Sequence, residues 1–260
     1  FDPPAGIRVV HSDLDGTMLG RGGSFVHDPS GASTLEPARV LAEAAAAGIE
    51  IVPCSGRAMP GIAGDGRILG LATAIGEMGA VVSYEGGRRI VEHLGEYPGG
   101  AAHPVALMES GGAIDFLMRT FPLEPHAPWA RHREYTALLR GLADTAQAND
   151  ALRDAGHGWC VLVDNGVLHA SYLGLPERTS HVYHLMPRGV SKGATVRADR
   201  ELRGIDAAEC VAMGDSLADL TMSGEVAAMA VTADAVADDP VLAAAPAGIP
   251  NFGVRRRAGD

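Results

Sequence analysis

The chain has 260 residues, of which 47% are hydrophobic, 20% charged and 5% aromatic, and its formal net charge is −11. That length suits one large α/β domain or a core with a smaller companion, and the composition is globular. A duplex-binding surface needs a basic patch, and no Lys/Arg run exceeds Arg255-Arg256-Arg257, which reads as a solvated terminus rather than a nucleic-acid tail.

The three cysteines, Cys54, Cys160 and Cys210, are odd in number and widely spaced, so neither a disulfide framework nor a zinc ribbon is expected and a reducing cytoplasm fits. The first residues lack a basic segment followed by an apolar run, so no secretory signal is expected. The start at Phe1 rather than Met points to a few residues trimmed or left out ahead of it. No uncharged apolar stretch is long enough to span a bilayer.

Ile7 to Ser12 is a short β-branched run that predicts a buried parallel strand ending at Asp13. A Gly/Ser/Pro-rich loop follows, from Gly20 to Ser33. Leu35, Ala38, Val40, Leu41, Ala44 and Ala45 then recur at helical spacing, with Thr34 as N-cap, Glu36 and Pro37 in the first turn and Gly48 as the stop. Ile49 to Cys54 predicts a second strand ending at Ser55, and this β–helix–β unit implies a parallel sheet with right-handed crossovers. A third strand is expected at Ala72–Ile75.

The pattern then changes. Ala80–Tyr84 and Arg89–Glu92 predict a hairpin about Gly86-Gly87. Strands are expected at Tyr135–Leu139 and Trp159–Val163, and helices at Pro104–Arg119 and Asp144–Ala155. This mixed middle third reads as an insertion. The first pattern returns near Tyr183, with a helix at Ser191–Arg203, a buried strand at Glu209–Met213, a helix starting at Asp219, and a strand at Ala227–Thr232.

Four clusters lie just past predicted strand ends or at helix starts, where open parallel sheets bind ligands. In Asp13-Leu14-Asp15-Gly16-Thr17, two carboxylates leave a strand end together. One can attack phosphorus while the other handles the leaving-group proton, and Gly16 allows a tight turn that frees backbone N–H groups. The plainer reading is a surface turn or a calcium loop, but Gly20 to Gly23 supplies no further oxygen ligands. In Ser55-Gly56-Arg57 the hydroxyl can bond a phosphoryl oxygen or simply cap a helix. Lys192, flanked by Gly189 and Gly193, can neutralise a phosphate or be a surface lysine; the P-loop spacing is absent. Asp215 and Asp219 are four apart, so both can face one site and suit magnesium, or can cap and compensate a helix.

Taken together and in this order, the clusters resemble the haloacid dehalogenase (HAD) superfamily. Asp13-Leu14-Asp15-Gly16-Thr17 matches its highly specific DxDGT motif. Ser55, Lys192 and Gly214-Asp215-x-x-x-Asp219 match the second, third and fourth motifs. The resemblance implies an α/β fold, a Rossmann-like core with a parallel sheet at 1–82 and 184–260, and an inserted α+β cap at 83–183. The insertion resembles the type IIB cap of the Cof-like, sucrose-phosphate, trehalose-phosphate and mannosyl-3-phosphoglycerate phosphatases and the phosphomannomutases. Two departures stand out. Ala218 replaces an Asn common before the second Asp of the fourth motif, and Met78-Gly79-Ala80 stands where Asn-Gly-Ala is common.

The resemblance also implies a mechanism. Asp13 attacks phosphorus and forms an aspartyl-phosphate; Asp15 first protonates the leaving alkoxide and then deprotonates the attacking water. It implies Mg2+ held by the Asp13 carboxylate, the Asp15 backbone carbonyl and Asp215. Asp219 orients Lys192 or a metal-bound water, Thr17 supports the site, and Ser55, the Gly56 N–H and Lys192 hold phosphoryl oxygens. The family's dehalogenases lack the second carboxylate, so dehalogenation is not expected. The expectation is a magnesium-dependent phosphomonoesterase acting on a small phosphorylated metabolite, such as a sugar phosphate or glycosyl-phosphoglycerate. It would be a monomer or homodimer, with no nucleic-acid or membrane partner. The alternatives are a phosphomutase or a non-catalytic sensor or scaffold. The cap is expected to close over the site. Its candidate substrate contacts are Arg131, His132 and Arg133, with Trp129 nearby, although a solvated charged turn is the preferred reading there. His126 and His132 have nothing to complete a metal site, and His181 and His184 read as ordinary strand residues.

Overall fold

The computed structural model describes residues 6–20, 22–100, 102–168, 180–245, 249 and 251–255. β1 (Val9–Ser12) is a short β-branched run, buried except at Val10. α1 (Glu36–Ala46) has Leu35 rather than Thr34 at its N-cap; the Thr34 hydroxyl still accepts from Glu36 N–H at 3.1 Å, and Pro37 occupies the first turn. Gly48, at φ +71°, lets the chain turn back, and Ile49 N–H donates to Ala44 C=O at 2.9 Å. β2 (Glu50–Pro53) then pairs parallel with β1, Val9 opposite Glu50.

α2 (Met59–Leu69) was not expected from the sequence. Gly61, Gly64 and Gly66 lower its intrinsic propensity. It forms because Met59, Ile62 and Gly66 are buried against the sheet, Pro60 lies in the first turn, and Gly70 terminates it in the left-handed conformation. β3 (Ala74–Gly76) bridges Cys54 through Ile75 and pairs with β4 (Val81–Tyr84), which forms the expected hairpin with β5 (Arg89–Glu92).

The helix expected over Pro104–Arg119 is two helices, α3 (Pro104–Ser110) and α4 (Ala113–Thr120). They break at Gly111-Gly112, where Gly112 has φ +81°. β6 (Leu123–Pro125) and β7 (Ala137–Gly141) follow. α5 (Thr145–Asp154) is capped by the Asp144 carboxylate, which accepts from Gln147 N–H at 3.0 Å, and β8 (Cys160–Leu168) and β9 (Ser180–Pro187) complete the group. These strands form an antiparallel sheet in the order β6-β7-β9-β8. Helices α3, α4 and α5 pack on it through Met108, Leu117, Ala148 and Leu152 against Leu139, Leu162, Tyr183 and Leu185.

The boundary expected between residues 183 and 184 lies inside β9, which is central to this second sheet. Likewise β4, which straddles residue 82, pairs with β3 on the side of the parallel sheet, and β5, beyond it, pairs with β4. The chain therefore crosses between the two units near Gly95 and again near Gly189. The crossings run side by side, with Glu96 N–H donating to Arg188 C=O at 2.7 Å.

α6 (Lys192–Arg203) returns the chain, with the Ser191 hydroxyl as its N-cap, accepting from Ala194 N–H at 3.1 Å. β10 (Cys210–Gly214), α7 (Leu217–Leu220), β11 (Ala228–Thr232), α8 (Ala233–Asp238), α9 (Pro240–Ala244) and β12 (Phe252–Arg255) follow. The main sheet is parallel, in the order β12-β11-β10-β1-β2. Its core joins Val9, Val52, Ile75 and Met229 to Val196 of α6. The molecule is thus an α/β core with a parallel sheet and an inserted α+β unit.

Cys54, Cys160 and Cys210 are all free and buried. Among the described residues no helix is long and apolar enough to cross a membrane. Arg256 and Arg257 of the expected basic terminus lie outside the described residues.

Candidate active site

Strands β1, β2 and β10 lie side by side and end together, so their C-terminal ends deliver Asp13, Ser55 and Asp215 to one edge of the sheet. Asp13 is buried, and its backbone N–H donates to Met213 C=O at 2.9 Å, continuing the β1–β10 ladder. Lys192, the first residue of α6, is also buried. Its Nζ donates to Asp13 Oδ1 at 2.7 Å and to Asp219 Oδ1 at 2.6 Å. A buried ammonium is tolerable only when so paired.

Asp219 is held on its other side. Its Oδ2 accepts from the N–H groups of Asp215 and Ser216, each at 3.0 Å, and from the Ser216 hydroxyl at 2.6 Å. Both its oxygens are thus engaged, and it acts as the fixed post that orients Lys192 and the 215–216 loop.

Close approach explains two glycines. A Cβ on Gly16, which sits at φ +87°, would overlap the Asp215 carboxylate, and one on Gly214 would overlap the Asp219 side chain. The Thr17 hydroxyl is buried and has no partner among the described residues, leaving a polar group available at the turn.

Asp13, Asp215 and Asp219 each bring a carboxylate oxygen within 4.8 Å of the others. Among the described residues no other His, Cys, Asp or Glu group meets that test. Burial pushes the Asp13 carboxyl well up; Lys192 opposes this, and Asp219 and Asp215 reinforce it. Burial alone would lower Lys192, but Asp13 and Asp219 reverse that and hold it up. Three carboxylates with one ammonium leave excess negative charge, and hard oxygen donors suit a divalent cation such as Mg2+. With both Asp219 oxygens engaged by protein donors, Asp13 and Asp215 are the carboxylates that fit such an ion.

Asp15 is placed differently. Its side chain is 51% exposed and lies against Arg57, whose Nε and Nη2 donate to its two oxygens at 2.8 and 2.6 Å. Arg57 Nη1 also donates to Asp65 at 2.7 Å. Arg57 directly follows Ser55 and Gly56 in the sequence. Nothing local in the sequence pairs it with Asp15.

The inserted unit meets the core beside Ser55 and Gly56. Arg133 is buried there, its Nη2 donating to Gly56 C=O at 2.6 Å and to Thr136 Oγ1 at 2.7 Å. Its neighbours Arg131 and His132 are exposed, and Trp129 is 67% exposed. Consecutive residues here thus face opposite environments. His126 is buried at the end of β6 and joins no metal group. His181 pairs with Asp164 at 2.8 Å near the surface. His184 is buried against Arg133, Thr136 and Gly56, and burial, then the nearby cations, push it well down.

The two motif departures also have physical settings. Met78 occupies a left-handed backbone at φ +63°, a conformation Asn tolerates better, while its side chain packs in the Leu14–Ile62–Val81 cluster. Ala218 packs against that same cluster.

A sequence profile for haloacid dehalogenase-like hydrolases matches residues 174–246. No curated protein sequence matches. Solved structures do. A Synechocystis sp. sucrose-phosphatase, determined with sucrose and phosphate, is 13% identical at a TM-score of 0.64, covering 95% of this chain and 91% of its own. The HAD-superfamily phosphatase BT1666 from Bacteroides thetaiotaomicron is 15% identical at 0.63, covering 96% and 90%. A haloacid dehalogenase-like hydrolase from B. subtilis is 17% identical at 0.60, covering 96% and 95%. At these identities the structures speak for the fold alone. The chain thus has the α/β fold of these proteins, and the profile match, which spans Lys192, Asp215 and Asp219 but not Asp13 or Ser55, accords with the resemblance of the third and fourth clusters.

Proposed function

We propose that the protein is a magnesium-dependent phosphomonoesterase that hydrolyses a small phosphorylated metabolite through an aspartyl-phosphate on Asp13. The observation that carries this reading is the buried Asp13–Lys192–Asp219 chain at the end of a parallel sheet. Lys192 holds one oxygen of Asp13, and the other, Oδ2, has no protein donor among the described residues. A carboxylate fixed in this way is poised for in-line attack.

In the first step Asp13 Oδ2 bonds to phosphorus, the ester P–O bond breaks, and Asp15, protonated on one oxygen while Arg57 keeps the other, gives that proton to the departing alkoxide. In the second, Asp15 takes a proton from water, whose oxygen attacks phosphorus; phosphate leaves and Asp13 is restored. Lys192, the Ser55 hydroxyl and the Gly56 N–H hold phosphoryl oxygens as charge spreads over them. Mg2+ on Asp13 and Asp215, with the Asp15 backbone carbonyl, would offset repulsion between the nucleophile and the phosphate.

The inserted unit acts as the cap that reads the leaving group, with Trp129, Arg131 and His132 as its exposed face. A sugar phosphate or glycosyl-phosphoglycerate is the substrate class we favour. An aromatic beside basic groups suits a sugar with anionic substituents, and the sucrose-phosphatase above shares the fold.

Phosphate release across a panel of phosphorylated sugars, glycosyl-phosphoglycerates and nucleotides tests the proposal. It is measured with magnesium, with EDTA, and with Asp13→Asn. Release should need both the metal and Asp13, falling at least about 1,000-fold in the folded variant. Equal rates in Asp13→Asn, or no release from any member of the panel, would sink the reading.

A further inference from the structure

Resting on that phosphatase reading, we infer that Arg133 and Glu77 form a reciprocal clasp through which the inserted unit itself shapes the phosphate-receiving loop 55–57. All but one of the loop's backbone polar groups are held. Ser55 N–H donates to Ile75 C=O at 2.9 Å, and Ser55 C=O accepts from Met78 N–H at 3.2 Å. Arg57 N–H donates to Ser55 Oγ at 3.2 Å, and Arg57 C=O accepts from Glu77 N–H at 2.9 Å. Gly56 C=O accepts from Arg133 at 2.6 Å. The Gly56 N–H alone has no protein partner among the described residues.

The peptide unit joining Gly56 to Arg57 is therefore gripped at both ends. Ser55 of the core holds its N–H, and Arg133 of the inserted unit holds its C=O. Fixing that plane limits how the adjoining Gly56 N–H can turn, which is the preorganisation an anion site needs.

The grip runs both ways. Glu77 of the core accepts from the N–H groups of Tyr135 at 3.0 Å, Thr136 at 2.8 Å and Glu134 at 3.3 Å, all in the inserted unit. Arg133 Nε donates to Thr136 C=O at 2.7 Å and lies 4.0 Å from Glu77 Oε2. Both side chains are almost fully buried. A buried pair with this many charge-assisted bonds has little freedom. Glu77 and Met78 both hold positive φ, +47° and +63°, a strained backbone that persists only where its surroundings over-determine it. A Cβ on Gly56 would lie 2.8 Å from His184 Nε2, so the loop and β9 are also in close contact. Arg133 thus acts as a positioning residue, with its guanidinium turned to the loop's backbone.

The test uses the whole chain as wild type, Arg133→Lys and Arg133→Met. Lysine keeps the charge and can reach one acceptor; methionine keeps only an apolar stem. Amide exchange across 54–58 should rise in the order wild type, Lys, Met, while β1 and β10 stay protected. Binding of inorganic phosphate, followed by calorimetry, should weaken in the same order, by roughly tenfold for Met. Glu77→Gln should shift both readouts the same way by less, and it serves if Arg133→Met does not fold. Wild-type exchange at 54–58 in the folded variants overturns the clasp, as does raised exchange with unchanged phosphate affinity. A wild type that neither binds nor releases phosphate removes the phosphatase reading, while the exchange comparison still decides whether the clasp holds the loop.

Discussion

Arg57 fixes both the position and the plane of the Asp15 carboxylate, because two parallel N–H donors meet its two oxygens. If Asp15 supplies the leaving-group proton, loss of this fork should matter most where the leaving group most needs protonation. Arg57→Ala should slow hydrolysis of alkyl sugar phosphates about tenfold or more, but p-nitrophenyl phosphate, whose phenolate leaves unaided, by much less. Equal slowing of both substrates would assign Arg57 to general binding instead. The two residues are 42 apart in sequence, and only the sheet edge brings them together. Asp13, Asp15, Ser55, Lys192, Asp215 and Asp219, by contrast, were all nameable from the chain. Each stands beside a strand end or helix start that hydrophobic patterning marks.

At the scale of elements, β8 is an edge strand of the second sheet, so its outer backbone groups need partners from elsewhere. Asn149 on α5 supplies them at Leu162, accepting from its N–H at 2.7 Å and donating to its C=O at 3.0 Å. Asn149→Ala should cost about 1–3 kcal/mol, because both backbone groups lose a partner in a part-buried setting. Urea denaturation followed by circular dichroism should show this, and a midpoint equal to wild type would mean that water replaces the amide without loss. The elements that patterning missed have definite causes. α2 carries three internal glycines, and α3 and α4 are divided by a glycine pair within one continuous helical pattern. β9 looked like the return of the core because it is buried and β-rich, but it pairs with β7 and β8.

For the molecule as a whole, the buried junction makes stability depend on pH. His184 is held well below its ordinary range by burial and by neighbouring Arg133, Lys192 and His126. Between that low value and about 6.5, the unfolded chain binds a proton at this position that the native state refuses. Stability therefore falls as pH drops below about 6.5, by up to about 1.4 kcal/mol per pH unit from this group. Asp199, whose carboxylate is favoured by His11 and Arg203 against the cost of burial, loses its contribution only at lower pH, below about 4. Denaturation of wild type and His184→Gln between pH 5 and 7.5 should show a flatter slope in the variant, and parallel slopes would mean that His184 is not the group responsible.

The sequence by itself determined the parallel α/β core, the order of the four clusters, and the residue types that can attack, neutralise and ligate at its edge. These follow from local rules: β-branched runs make buried strands, strands separated by helices align in parallel, and ligand groups gather where such strands end. Only the tertiary structure decided that Arg57 holds Asp15, that Asp219 is a post for Lys192, and that Arg133 turns inward while Arg131 and His132 face solvent. It also decided that β9 belongs to the inserted unit. Those outcomes depend on which distant segments share a buried interface, where each polar group must find a partner or forfeit its hydration, and spacing along one chain does not encode that choice.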